Sequence, residues 1–344
     1  MNVTFLDVPG MVRWVTARGV ENIVRDLTTA IDADFARWQD FDKTPRVASH
    51  SPEGVLELMP TSDGVTYGFK YVNGHPKNPE RGFQTVTAFG MLADVGNGYP
   101  LFLTEMTILT ALRTAATSAM AARHLARPDS TSMAMIGCGA QAEFQALAFR
   151  AVLGINSLRI WDTDPAAMDK LERNAVRAGF DVHRASDARE ACRGADIVTT
   201  CTADKANAIV LPHDAVEPGM HLNCIGGDCP GKTELDPRTV AASRVFVEYT
   251  PQTRIEGEIQ RQAPDFPVTE LWEVVQGRRT GRESAADVTL FDSVGFAVED
   301  FSALRFVYDA VRADPDVATV DLVAEPADPK DLFAYATAAA VVGV

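Results

Sequence analysis

A chain of 344 residues with 46% apolar and 8% aromatic side chains has enough material for two hydrophobic cores and too much for one of ordinary size. Its 32 basic and 47 acidic side chains leave a formal charge of −15, a field that repels phosphate backbones and anionic lipid, so neither nucleic acid nor a membrane is expected as a partner. No apolar run reaches the roughly 20 residues of a spanning helix, and Met1 to Gly10 lacks the basic start of a signal peptide. The five cysteines (Cys138, Cys192, Cys201, Cys224 and Cys229) form no CxxC pair and have no His at ligand spacing, which points to a cytoplasmic protein with reduced thiols and no metal site.

In chain order, apolar residues at Ile23, Leu27, Ile31 and Phe35 predict a helix over Val20 to Trp38. Short β-branched or aromatic segments then predict strands at Val55 to Met59, Thr66 to Val72 and Thr85 to Val95, with a turn at Asp94 to Gly98. This half reads as an antiparallel or mixed sheet. Thr107 to Leu125, without Gly or Pro, predicts a helix leading out of it, ended by Pro128. From Ser132 the rhythm becomes strand then helix. Strands are expected at Ser132–Ile136, Ser157–Trp161, Asp181–Arg184, Asp196–Cys201, Met220–Ile225, Arg244–Val247 and Val288–Phe291, and a helix at Phe296–Arg312. Alternation of this kind argues for a parallel sheet covered on both faces.

The expected fold class is therefore α/β, a Rossmann-type doubly wound parallel sheet inserted in a second, discontinuous α+β domain. Residues 121–317 would form the dinucleotide domain, and residues 1–120 plus 318–344 the other, the tail returning to the first sheet.

Met133 to Ala142 places G-x-G-x-x-A between an expected strand and an expected helix. Gly137 allows the tight turn, Gly139 lets the backbone approach a pyrophosphate, and Ala142 is small enough for helix to pack on strand. The helix N-terminus supplies N–H groups for the anion. Asp162 ends the next strand about 20 residues further on, where an acid takes ribose hydroxyls and repels a 2′-phosphate, so NAD is expected rather than NADP.

The loop Gly226-Gly227-Asp228-Cys229-Pro230-Gly231-Lys232-Thr233-Glu234-Leu235 follows an expected parallel strand, at the sheet edge where ligands bind. With Phe69 to Pro76 (FKYVNGHP), Ala111 to Ala116 and Glu248 to Glu258, it is similar to the ornithine cyclodeaminase and mu-crystallin family, over a stretch from near the N-terminus to about Leu332. The resemblance implies a homodimer whose first domain supplies the dimer contact and most of the substrate site. Carried over by position, it implies that Arg46, Lys70 and Val294 bind substrate and that Asp228 is the catalytic acid/base. It implies NAD contacts at Thr85, Arg113, Ala140, Gln141, Asp162, Thr202, Leu222, Asn223, Cys224, Ile225, Lys232 and Ser293, beside Gly137 and Gly139. The KYVNGHP and GGDCPGKTEL strings resemble the ornithine branch, implying conversion of L-ornithine to L-proline and ammonia by internal hydride transfer. The same family holds alanine dehydrogenases, lysine cyclodeaminases, ketimine reductases and the binding protein mu-crystallin, which are the alternatives.

The residue types suit that chemistry. An α-amino acid presents a carboxylate that Arg46 can grip with a planar fork and Lys70 with a compact cation. Alternation points Lys70 away from Phe69 and Tyr71, to the face of Gly68, leaving room for a ligand. Taken without the resemblance, both are equally solvated or salt-bridged surface cations. Asp228 beside glycine is either a proton carrier or an Asx-turn. Glu57, between Leu56 and Leu58, reads as a solvated strand residue, a contact to a distal ammonium being the alternative. The six histidines form no triad or ligand spacing, and no serine elbow is present.

Overall fold

The computed structural model describes residues 2–203 and 207–337. Strands β1 (Asn2–Leu6), β2 (Val47–His50), β3 (Val55–Ser62), β4 (Thr66–Gly74), β5 (Ala88–Asp94) and β6 (Pro100–Glu105) come first in the chain. They are followed by β7 (Ser132–Ile136), β8 (Ser157–Trp161), β9 (Asp181–Arg184), β10 (Ile197–Thr200), β11 (Asn207–Leu211), β12 (His221–Cys224), β13 (Thr233–Leu235), β14 (Arg244–Val247), β15 (Thr269–Glu270), β16 (Thr289–Asp292) and β17 (Ala318–Asp321).

The first sheet is mixed, in the order β17-β1-β6-β5-β4-β3-β2, with only the β1/β6 pair parallel. Alternation governs its faces. On β3, Val55, Glu57 and Met59 are buried while Leu56 and Leu58 are exposed; on β4, Gly68, Lys70 and Val72 are buried. The inner face packs against the helix Ala297–Val311. β17 pairs antiparallel with β1, so residues 318–321 return to this sheet, and the helix Leu332–Thr337 beyond it has no buried residue. Residues 338–344 of the expected return segment lie outside the described residues.

The second sheet is parallel throughout, in the order β15-β14-β16-β12-β10-β7-β8-β9. Its first strand in the chain, β7, lies inside the sheet, with β8 and β9 on one side and β10 and β12 on the other. The order therefore reverses between β7 and β10, the switch point where ligands bind in such sheets. The helix Thr107–Leu125 touches both sheets and is buried along most of its length, which its Ala-rich sequence allows. Among the described residues no helix is long and apolar enough to cross a membrane.

Several boundaries move. The helix expected to reach Trp38 spans Val20–Ala36 and passes into a 3-10 turn at Trp38–Asp40, with Ile23, Leu27, Ile31 and Phe35 all buried as the spacing required. The strand expected from Thr85 begins at Ala88, because the Asn73 side chain has taken the Thr87 N–H at 2.6 Å. β1, β2, β6, β11, β13, β15 and β17 and the helix Val8–Arg18 are additions to the expected elements. Asp7 caps that helix by accepting from Gly10 N at 2.8 Å.

Candidate active site

One cleft of about 280 Å³ lies between the carboxyl edge of the parallel sheet and the inner face of the first sheet. Its wall brings together Arg46, Lys70, Asp228 and Val294 with Thr85, Arg113, Gly139, Ala140, Gln141, Thr202, Ile225, Lys232 and Ser293. Gly137 lies just behind: its φ is 100°, and a Cβ there would stand 2.8 Å from the Cys201 backbone, so only glycine fits the turn. A Cβ on Gly139 would meet nothing within 4 Å. The helix Ala142–Leu153 starts immediately beyond. These features fit the pyrophosphate of a dinucleotide.

Four expected cofactor residues do not line this cleft. Leu222, Asn223 and Cys224 are buried within β12, whose faces are both covered, so only Ile225, past the strand end, reaches the cleft. Asp162 is off the cleft wall; its carboxylate accepts from Cys138 N at 2.6 Å and from Asp164 N at 2.9 Å, bracing the glycine loop from behind. Cys138 is buried, its thiol pushed up to about 12 by burial and the neighbouring Asp162.

Three cations converge on the cleft, each with buried acids behind it. Lys70 is 1% exposed and donates to Asp300 at 2.8 Å. Arg113 donates through Nη1 to Glu299 at 2.6 Å, and its Nε is 2.8 Å from the same Asp300. Arg46 is the most heavily bonded. Its Nη2 donates to the carbonyls of Val294 at 2.5 Å and Gly295 at 2.7 Å, Nη1 donates to Glu57 at 3.1 Å, and Nε is 3.0 Å from Glu256. Burial opposes the charge on Arg46, but Glu57, Glu256 and Asp228 more than offset it and raise its pKa. Lys70 is pushed down to about 8, by burial first and then by Arg113. Glu256 is pushed up to about 7, chiefly by burial.

The two surface readings of Arg46 and Lys70 fail for this reason, and so does the solvated reading of Glu57, which is 6% exposed and lines the cleft. The room beside Lys70 does not come from Gly68, where a Cβ would lie 3.1 Å from Leu92 and Phe301. Asp228 is half exposed on the opposite wall, its Oδ1 accepting from Lys232 Nζ at 3.3 Å, while Lys232 also donates to the Thr202 carbonyl at 3.1 Å.

The acids Glu234, Glu248, Glu256 and Glu258 and the amide of Gln252 complete the setting, and the sequence alone gives them no task. Glu248 accepts from Ser293 Oγ at 2.6 Å and Gly295 N at 3.1 Å, fixing the loop that Arg46 grips. Gln252 accepts from Arg46 N at 3.0 Å and donates to Gly295 O at 2.8 Å. Glu234 accepts from Thr202 N at 2.7 Å and from its hydroxyl. The two glycines before Asp228 lie on these acids: a Cβ at Gly226 would be 2.1 Å from the Glu234 carboxylate and one at Gly227 2.8 Å from Glu258. Glu234 is buried and anchored, so it cannot withdraw. Gly226→Ala should therefore cost about 1–3 kcal/mol by overpacking, seen as a lower urea midpoint together with weakened NAD binding; a normal midpoint would show that the loop has slack.

A doubly wound parallel sheet with a glycine loop at its switch point, facing buried cations on a second sheet, defines a Rossmann-type dinucleotide-binding protein with an added pocket for a small acid. The chain belongs to the ornithine cyclodeaminase/mu-crystallin family, whose model matches residues 9–314. It is 60% identical over 331 residues to the ornithine cyclodeaminase of Brucella suis biovar 1 (strain 1330), covering 96% of this chain and 92% of that protein. Among solved structures it superposes on a lysine cyclodeaminase studied for recognition of L-lysine, L-ornithine and L-2,4-diaminobutyric acid, with a TM-score of 0.92, 31% identity, and coverage of 97% of this chain and 100% of that one. An archaeal alanine dehydrogenase dimer with bound NAD superposes with a TM-score of 0.85 at 29% identity, covering 94% and 100%.

Proposed function

We propose that this chain is an NAD-dependent ornithine cyclodeaminase, converting L-ornithine to L-proline and ammonia. The observation that carries the reading is the cleft itself. Buried cations for a carboxylate and a half-exposed aspartate for proton transfer share it with the glycine loop, in a chain 60% identical to an enzyme of that name and 29% identical to an alanine dehydrogenase.

Lys70 and Arg113 have N–H donors left over after serving Asp300 and Glu299, and Arg46 adds a third charge, so the substrate carboxylate binds among them. Gly139, Ala140 and Gln141 would hold the pyrophosphate, Asp162 the adenosine ribose, and Thr85, Thr202, Lys232 and Ser293 the remainder of NAD. When bound, NAD would supply the hydride chemistry, acceptance of hydride from Cα and its return to the cyclic imine, which gives L-proline. Asp228 removes the proton from the attacking δ-amine and passes it to the departing ammonia, with Lys232 fixing its carboxylate. Glu57, held by Arg46, meets the distal amine.

The reading extends to organisation. Sheet membership, with β17 (Ala318–Asp321) back on the first sheet, supports a dinucleotide domain at 121–317 and a discontinuous substrate and dimerisation domain made of 1–120 and the return from 318. The outer face of the first sheet supports a homodimer: Pro60, Phe69, Met91, Leu103 and Phe5 lie in register across it, beside Leu58, Tyr71 and Phe89, and among the described residues Leu58 and Phe89 are left exposed. Five cysteines with no CxxC pair among them support a reducing, cytoplasmic setting.

The test is to incubate the protein with L-ornithine and trace NAD and to follow ammonia, proline and NADH absorbance together. Ammonia and proline in equal amounts without net NADH support cyclodeamination; NADH accumulating with L-alanine would sink it. The pH profile adds a second expectation. Carboxylate binding needs the charged form of Lys70, which is lost as pH rises through about 8, so kcat/KM for L-ornithine should fall on that side mainly through KM. Lys70→Arg should carry this limb to higher pH, and a limb that stays in place assigns it to another group.

A further inference from the structure

The inner faces of β3 and β4 carry a pattern that hydride and proton transfer do not require. Met59 stands opposite Lys70, and Glu57 opposite Val72, in the antiparallel register. All four side chains are buried and line the cleft. Charged groups thus occupy one diagonal of a square and apolar groups the other. Met59 and Val72 pack with Ala297 in a small cluster separate from the main cores, with Ala88 against it. Ala297 and Asp300 sit three apart on one helix, so the same face of that helix backs the apolar pair and anchors Lys70. Neither a carboxylate nor a moving proton asks for hydrocarbon at these positions.

We propose that Met59 and Val72 are specificity-determining residues: they pack against the methylenes between the carboxylate and the distal nitrogen and close the cleft to a longer chain. This rests on the reading of the site as one for diamino acids. Diagonal neighbours across an antiparallel pair are about 7 Å apart. An extended amino acid with three side-chain methylenes spans about 6 Å from carboxylate carbon to terminal nitrogen, and a fourth methylene adds about 1 Å. A diamino acid lying along the charged diagonal therefore has its methylenes over Met59 and Val72, and a fourth methylene has to be accommodated by one of these two side chains. Both are backed by Ala297, which begins a packed helix, so neither has free space behind it.

The experiment compares kcat/KM for L-2,4-diaminobutyrate, L-ornithine and L-lysine in the parent protein, Met59→Ala and Val72→Ala, with thermal melts on each. The lysine-to-ornithine ratio should rise at least about tenfold in Met59→Ala, the scale on which one methylene is discriminated in an apolar pocket, and should move the same way in Val72→Ala. An unchanged ratio in folded variants overturns the proposal. If Met59→Ala does not fold, the smaller truncation at Val72 decides. If the parent releases no ammonia from any of the three, the reaction reading falls, and length selection is then read from quenching of bound NADH fluorescence by L-proline against L-pipecolate. A preference that moves toward the six-membered ring in the variants upholds the proposal, and equal preference in parent and variants overturns it.

Discussion

Asp228→Asn is expected to lower ammonia release from L-ornithine about a thousandfold, within the range that a positioned general acid/base contributes, while NAD affinity stays almost unchanged. The expectation follows from placement. Asp228 is half exposed on the cleft wall opposite the three cations, and its partner is Lys232 at 3.3 Å. Asparagine keeps an oxygen for Lys232, so the loop and the lysine are held while the ability to take a proton is lost. Turnover and nucleotide titration on the same preparation separate the outcomes. Near-normal turnover would remove Asp228 from proton transfer, and a parallel loss of NAD binding would make its role that of a loop anchor.

Lys70→Met should reduce kcat/KM for L-ornithine by roughly a hundred- to a thousandfold, the usual consequence of removing one partner of a buried, charge-assisted contact. Methionine fills much of the space, and Asp300 keeps Arg113 with Nε at 2.8 Å, so the cluster retains one counter-charge. The loss should appear in KM for the amino acid more than in the affinity for NAD. If NAD binding falls instead and KM is steady, Lys70 belongs to the cofactor's side of the cleft.

Much of this was legible in the sequence because it rests on local rules. The glycine loop needs a strand before it, a helix after it and small residues at set positions, and all of these are neighbours in the chain. Alternation alone puts Lys70 on the buried face of its strand, where the structure has it. The acids behind the cations were not legible, for a physical reason. Glu256, Glu299 and Asp300 have the spacing of ordinary helix acids, and what makes them functional is burial against Arg46, Arg113 and Lys70 from segments about 190 to 230 residues away. Glu57 misled for the same cause, since only the packed helix turns its strand face inward. The short edge strands β2 and β17, and β1 beside the latter, carry too few residues for a periodic signal, and β17 becomes visible only through its partner β1.

Arg46 enters from the first sheet, yet its bonds to Gln252, Glu256, Val294 and Gly295 all run to segments of the other half. Its guanidinium is therefore oriented by a seam that neither half possesses alone. A chimera joining this first half to a foreign nucleotide-binding half would inherit Lys70 and Met59 but leave Arg46 without its frame. The unit that could be transplanted intact is the seam, made of residues 46, 248–258 and 293–300 together, and any graft of this pocket onto a new scaffold has to carry all three segments at once.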